Sequence, residues 1–258
     1  MDFSIVVGFF VILGILFETI GIGASSKLFL SNEALIIVFG GLLASSFVMF
    51  PFRELRTMPA RIRIMFRSKS RNYRADILLL LQLSHKIHSQ GKASLEQDMD
   101  TIKDNFMKHA VNLIVADYPP ADMKHMLKEM IETSENRHEQ GIFYFEQLAK
   151  YAPGFALVGT LIGLVKLLAA ISDPKSLGPN MATALVSTFY GVSLANLVFL
   201  PMAGRLRMLS YQERIHKEIL IECLVAIASG ELPYVVREKV YMLVTEADRK
   251  FLRSKEKA

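Results

Sequence analysis

Thr160, Ser187, Thr188 and Tyr190 place hydroxyls inside two apolar stretches, YAPGFALVGTLIGLVKLLAAI from Tyr151 and NMATALVSTFYGVSLANLVFLP ending at Pro201. A hydroxyl in hydrocarbon either bonds a carbonyl one turn back or offers oxygen to a small dehydrated cation, and the residue types leave both uses open. Pro153 and Pro201 sit near one end of each stretch. Each removes a backbone hydrogen bond, so each either marks a helix boundary or lets the helix beyond it tilt; their paired placement favours the tilt.

Two charges also fall in apolar surroundings, Glu18 and Lys166. A charge at the bilayer centre costs about 3 kcal/mol or more, and such residues mark ion paths by default. Both lie toward the same ends of their spans, about one to two turns deep. That depth favours a structural or vestibule role over proton carriage: Lys166 can snorkel, and the two can pair. Gly159 and Gly163, four apart, read as a place where another helix backbone approaches closely.

These residues need helices that cross a membrane, and a crossing takes about 20 apolar residues. Four runs meet or approach that length: Phe3 to Ile22, Ala34 to Phe52, and the pair above. The expected fold is all-α and polytopic, with four transmembrane helices. The expected segments are 1–52, a first transmembrane hairpin; 53–150, a helical insert; 151–201, a second hairpin; and 202–258, further helices with a basic tail.

Lys and Arg cluster after the second run, from Arg53 to Arg74, and after the fourth, at Arg205, Arg207 and Arg214, whereas the loops at the other ends carry only Lys27 and Lys175. Positive charge near span ends stays in the cytoplasm, which puts both termini and the insert there. The first run lacks the basic n-region of a secretory signal, carrying Asp2 instead. A net charge of +5 concentrated beside span ends fits anionic lipid headgroups, with no interleaved aromatic and basic surface for nucleic acid. The single Cys223 excludes an internal disulfide and reads as a small core residue.

In the insert, Ile77, Leu80, Leu81, Ser84 and Ile87 recur at helical spacing, as do Leu95, Met99, Ile102 and Phe106, with Gly91 between the two sets. A further helix is expected after Pro119 and Pro120, packing through Met123, Met126, Leu127, Met130 and Ile131. Nothing stops a helix from Glu135 to Pro153, so it is expected to run into the third span through Phe143, Phe145 and Leu148, with the two aromatics near the headgroups. The fourth span is expected to continue to Ala228 and end at Gly230 and Pro233. A last helix near Tyr234 to Ala247 then precedes FLRSKEKA, expected to be mobile or to lie on lipid.

His85 with His88, and Glu135 with His138, have ligand-like spacings, yet a di-iron bundle needs two Glu-x-x-His units and this chain has one. No metal cluster and no cofactor is expected. There is no GxxxxGK[ST] loop or Gly-x-Ser-x-Gly elbow, so no enzyme is indicated.

The stretch APGFALVGTLIGLV, followed by DPKSLGPNMATALVSTFYGVSLANLVFLPMA, resembles the flagellar stator A subunits of the MotA/PomA family. SLEQDMD and NFMKHAVNLIVADY in the insert also fit. The resemblance implies a homopentamer in the bacterial inner membrane surrounding two B subunits of the MotB/PomB type, which supply the ion-carrying aspartate. Flow of Na+ or H+ would turn the ring and push on the rotor switch protein FliG. It implies that Pro153 and Pro201 couple ion passage to conformation and that Glu96 faces the rotor. The family's rotor-facing arginine falls on His88, with Lys86 or Lys92 as possible substitutes. Thr160 and Thr188 match the hydroxyl pair of sodium-type members, which favours sodium, bound transiently there. Lys166 stands where many members are apolar. The competing readings are an ExbB/TolQ-like energiser of envelope machinery, which usually has three spans, and a membrane scaffold that conducts nothing.

Overall fold

The computed structural model describes residues 29–67, 73–99, 101–102 and 104–256, together with Val7, Gly8, Phe10, Val11, Gly14 and Glu18. The expected first span, Phe3 to Ile22, therefore falls mostly outside the described residues. Regular structure among the described residues is all helical. Helix α1 spans Asn32–Met49, α2 Phe52–Arg67, α3 Tyr73–Gln90, α4 Asn105–Val115, α5 Pro120–Ala169, α6 Pro174–Ala228, α7 Pro233–Leu243 and α8 Glu246–Glu256. A 3-10 segment, Lys92–Asp98, joins α3 to α4. Helices α1, α5 and α6 are long and apolar enough to cross a membrane.

The chain divides into two compact units. Unit 1 comprises Met1–Ser70 with His138–Met208, and unit 2 comprises Arg71–Arg137 with Leu209–Ala258. The core of unit 2 is built from Leu80, Leu95, Met107, Ile114, Met123, Leu127, Leu220 and Leu224, all almost completely buried. Unit 1 has a smaller core around Val38, Leu42, Ile142, Phe145, Ala149, Ala152 and Ala195.

Local chemistry explains where the helices begin and end. The Ser31 hydroxyl accepts from Ala34 N–H at 3.3 Å, so α1 starts at Asn32, two residues before the apolar run. It stops at Met49, because Pro51 drives Phe50 into extended backbone (φ −121°, ψ 134°); the expected end at Phe52 is too late. Asp173 caps α6 through Lys175 N–H, with Pro174 in the first turn. Gly230, at φ 77°, closes α6 where expected: Glu231 N–H bonds the Ala226 carbonyl and Gly230 N–H that of Ile227. Asp117 gives α4 the same ending at φ 53°, with Tyr118 N–H on the Leu113 carbonyl.

Two expectations are corrected here. Leu95, Ile102 and Phe106 are all buried, but on a 3-10 segment, a non-helical link and the first turn of α4, because Asp104 caps a new helix by accepting from Met107 N–H at 2.8 Å. The final helix is two. Thr245 starts α8 by accepting from Asp248 N–H, and the stretch expected to be a mobile tail is helical to Glu256, with Leu252 buried and Phe251 packed on the unit 2 core. Phe145 and Leu148 are buried within unit 1, and Phe143 is exposed.

Neither proline marks a helix end. Pro153 is interior to α5 and exposed, while Ala149, Ala152 and Ala156 of the same helix are buried. Pro201 follows a π-helical turn, Leu194–Phe199, inside α6. Widening the helix there relieves the crowding between a proline ring and the carbonyl one turn back.

Candidate functional site

Unit 1 brings α5 and α6 together through small residues. A Cβ built on Gly159 would lie 2.4 Å from Ser187 Oγ, one on Gly163 2.8 Å from the Ala184 nitrogen, and one on Gly191 2.4 Å from the Ala152 carbonyl oxygen. The seam thus runs Ala152, Gly159 and Gly163 on α5 against Gly191, Ser187 and Ala184 on α6, with spacings of three, four and seven that keep each set on one helix face. Close backbone approach replaces large side chains, as suits helices that lipid cannot drive together. Helix α1 joins the same way, with Gly41 against the Phe155 ring.

This seam fixes the hydroxyls. Thr160 Oγ1 and Thr188 Oγ1 lie 2.6 Å apart, and Thr160 Oγ1 is also 3.0 Å from the Ala156 carbonyl oxygen and 3.2 Å from that of Ala184. Thr188 Oγ1 is 3.4 Å from the Ala184 oxygen. Two hydroxyls carry two protons, so these contacts cannot all be satisfied at once and lone pairs are left over. Four oxygens converge, which is the donor set a hard cation prefers. Thr188 is exposed and Thr160 half-buried, while Pro153, seven residues before Thr160 on the same face of α5, is exposed.

Ser187 and Tyr190, read with the threonines as one set, are turned elsewhere. Ser187 is fully buried and donates to the Thr183 carbonyl at 2.7 Å, filling the space Gly159 leaves. Tyr190 donates its hydroxyl to the Phe29 carbonyl. The chain at the start of α1 is fastened twice more, by Ser31 Oγ to Thr183 Oγ1 at 3.3 Å and by Glu33 Oε2 to Lys166 Nζ at 2.8 Å. Alternate residues Phe29, Ser31 and Glu33 thus lace one strip of chain onto α5 and α6.

Lys166, for which the sequence left both snorkelling and pairing with Glu18 open, pairs with Glu33 in the structure. Capping by Ser31 brings Glu33 into the first turn of α1, within reach of the C-terminal end of α5. Glu18 is helical and exposed. Ser31 and Glu33 were missed in the sequence reading, although Ser-Asn-Glu before an apolar run is a helix-start signature.

In unit 2, Lys86, His88, Lys92 and Glu96 cluster where Gly91 (φ 82°) turns α3 into the 3-10 segment. His88 and Glu96 are exposed. Lys86 Nζ is 2.7 Å from Asp98 Oδ2, and Lys92 pairs with Asp117, so both lysines have acidic neighbours that compensate them. Glu135, one half of the ligand-like Glu135 and His138 spacing, pairs with Arg214.

Residues 98–219 match the model of the MotA/TolQ/ExbB proton channel family. Motility protein A of Borreliella burgdorferi is 35% identical over 216 residues, covering 84% of this chain and 82% of that protein. Chemotaxis protein PomA of Vibrio alginolyticus is 28% identical over 228 residues, covering 88% of this chain and 89% of its own. The fold matches a chain in the structure of the flagellar MotAB stator complex from Bacillus subtilis, with a TM-score of 0.85, 24% identity and coverage of 96% of this chain and 98% of that one. The chain belongs to the MotA/PomA family of motility proteins, within the MotA/TolQ/ExbB proton channel family.

Proposed function

We propose that this chain is the A subunit of an ion-driven flagellar stator, which converts cation flow across the bacterial inner membrane into torque on the rotor. The observation that carries this reading is the Thr160 and Thr188 hydroxyl pair, held at 2.6 Å by the α5 and α6 seam and open on one side. The pair offers oxygens but no carboxylate, so a partner must bring the group that carries the ion. A B subunit of the MotB/PomB type, two copies within a ring of five A subunits, supplies that aspartate against the open face.

The cation is passed from the partner carboxylate across Thr188 and Thr160, and sodium is the favoured ion because four oxygens can replace part of its water shell. Ser187 and Tyr190 then serve the path indirectly, by holding α6 against α5 and against the strip before α1. Pro153, exposed on the Thr160 face, lies where a change at the hydroxyl pair can bend α5, and Pro201 with its π turn offers the matching flexible point in α6. Rotor contact with FliG falls to the exposed Glu96 and His88, with Lys86 and Lys92 weakened as arginine substitutes by Asp98 and Asp117.

The test is swimming speed of a flagellate lacking its own stators and expressing this chain with its cognate B subunit, as sodium is replaced by potassium at fixed pH. Speed falling with sodium supports the sodium path. Speed indifferent to sodium but abolished by a protonophore makes this a proton motor. Failure of the wild-type pair to restore swimming under either condition removes the stator reading.

A further inference from the structure

Lys166 is the one fixed cation that the described part of α5 carries beyond Thr160, six residues along the helix. At 1.5 Å per residue that is about 9 Å of rise. A positive charge so close to a cation path raises the energy of the passing ion, and a low-dielectric surround screens it poorly. The structure gives this charge a counterion from another helix: Glu33 Oε2 lies 2.8 Å from Lys166 Nζ, with both side chains about half exposed. Glu33 is well placed for the task. It sits in the first turn of α1, where the helix dipole favours a carboxylate, and the Ser31 cap and the Tyr190 and Thr183 contacts fix the strip that carries it. Elsewhere at this end, Asp173 and Lys175 of the α5 to α6 turn supply opposite charges of their own.

We propose that Glu33 and Lys166 form a charge-neutralising pair at the mouth of the cation path, so that Glu33 sets the path's apparent cation affinity by cancelling Lys166. The inference rests on the stator reading and adds two residues of opposed sign to it. It differs from a merely structural tether in one respect: a tether is lost equally when either partner is removed, whereas charge acts on the cation with opposite sign in the two cases.

The experiment compares four full complexes with the cognate B subunit: wild type, Glu33→Gln, Lys166→Met and Glu33→Gln/Lys166→Met. Rotation speed is read against the concentration of the driving cation established for the wild type. Removing Glu33 exposes the lysine and raises the half-saturating concentration, by about twofold if the gap is as polar as water and up to about twentyfold at an effective dielectric of 20. Lys166→Met leaves a bare carboxylate and lowers it. The double variant returns close to wild type. High ionic strength supplied by a non-driving salt shrinks the Glu33→Gln shift.

If both single variants shift the half-saturating concentration in the same direction, or if the double variant is as shifted as Glu33→Gln, the pair is a tether and the proposal is overturned. It is equally overturned if the three variants change maximal speed alone. Wild-type rotation tests the stator reading, and the order of the four half-saturation values tests this one, so the two fail separately.

Discussion

The two units solve the packing problem in opposite ways. Of the largest fully buried side chains among the described residues, all but Ile142 and Phe145 lie in unit 2, where Leu, Ile and Met interdigitate as in a water-soluble core. Unit 1 instead exposes Ile36, Leu43, Phe47, Leu157, Leu161, Leu164, Leu168 and Leu185, and joins its helices with glycine, alanine and serine. In water, excluding solvent from large side chains drives association. In lipid that drive is absent and what remains is close contact. One chain therefore carries two stability rules, and the same substitution should mean different things on the two sides of residues 137 and 208.

The largest effect belongs to unit 2. Leu224→Ala empties a fully buried position and should cost about 2–5 kcal/mol, read as faster hydrogen exchange across α4 and α7 with α1 unaffected. In unit 1 the sensitive change is the reverse, adding volume. Gly191→Ala drives a Cβ to 2.4 Å from the Ala152 backbone oxygen, which has no flexible side chain to yield, and should cost about 1–3 kcal/mol in assembly of the complex. Gly204→Ala is the control on the same helix: nothing lies within 4 Å, and the substitution should be neutral or gain up to about 1 kcal/mol. If Gly204→Ala disturbs assembly as much as Gly191→Ala, the seam is not what holds unit 1.

The contrast also sets what could be read in advance. Apolar runs gave α1, α5 and α6, and helical spacing gave the buried faces of α3 and α5, because burial of large side chains leaves a periodic trace. Gly159 and Gly163 were legible as an approach point, and the structure seats them on Ser187 and Ala184. Their partners were not, since a serine or alanine that matters for its smallness looks like any other. Helix ends depended on single side chains: Thr245 with Asp248 is a start signal inside what looks like a basic tail, and Asp104 one inside what looks like a continuous face. The Glu33 and Lys166 pair joins residues 133 apart in sequence, a tertiary fact with no local trace.

Smaller effects concern the edges of unit 2. The Asp248 carboxyl is held below its ordinary value of 3.8, first by the hydrogen bond from Thr245 and then by Arg74, whose Nε lies 2.7 Å away. A folded carboxyl with a lowered pKa contributes stability that is present above the ordinary value and lost as pH falls through the folded one. Pepsin cleavage within α8, corrected for pepsin's own pH profile, should therefore rise as pH drops below about 3.8, and Thr245→Val, by bringing the folded carboxyl back toward its ordinary value, should flatten that rise. A rise left equally steep by Thr245→Val would leave that hydrogen bond without an energetic role.

Cys223 offers the finest test of the two rules, because its expected reactivity is almost nil. Burial pushes its thiol up to about 12, so at pH 8 the four-unit gap leaves roughly one molecule in ten thousand as thiolate even before access is considered. Iodoacetamide should then modify Cys223 only when unit 2 opens. Leu224→Ala, next to it in sequence and in the same core, should accelerate labelling in step with its loss of stability, whereas Gly191→Ala, which strains the seam of unit 1, should leave the labelling rate unchanged. Equal acceleration by both would mean that the units open as one and that the two packing rules do not act independently. Acceleration by Leu224→Ala alone would show each rule governing its own part of the chain, with the thiol reporting unit 2 only.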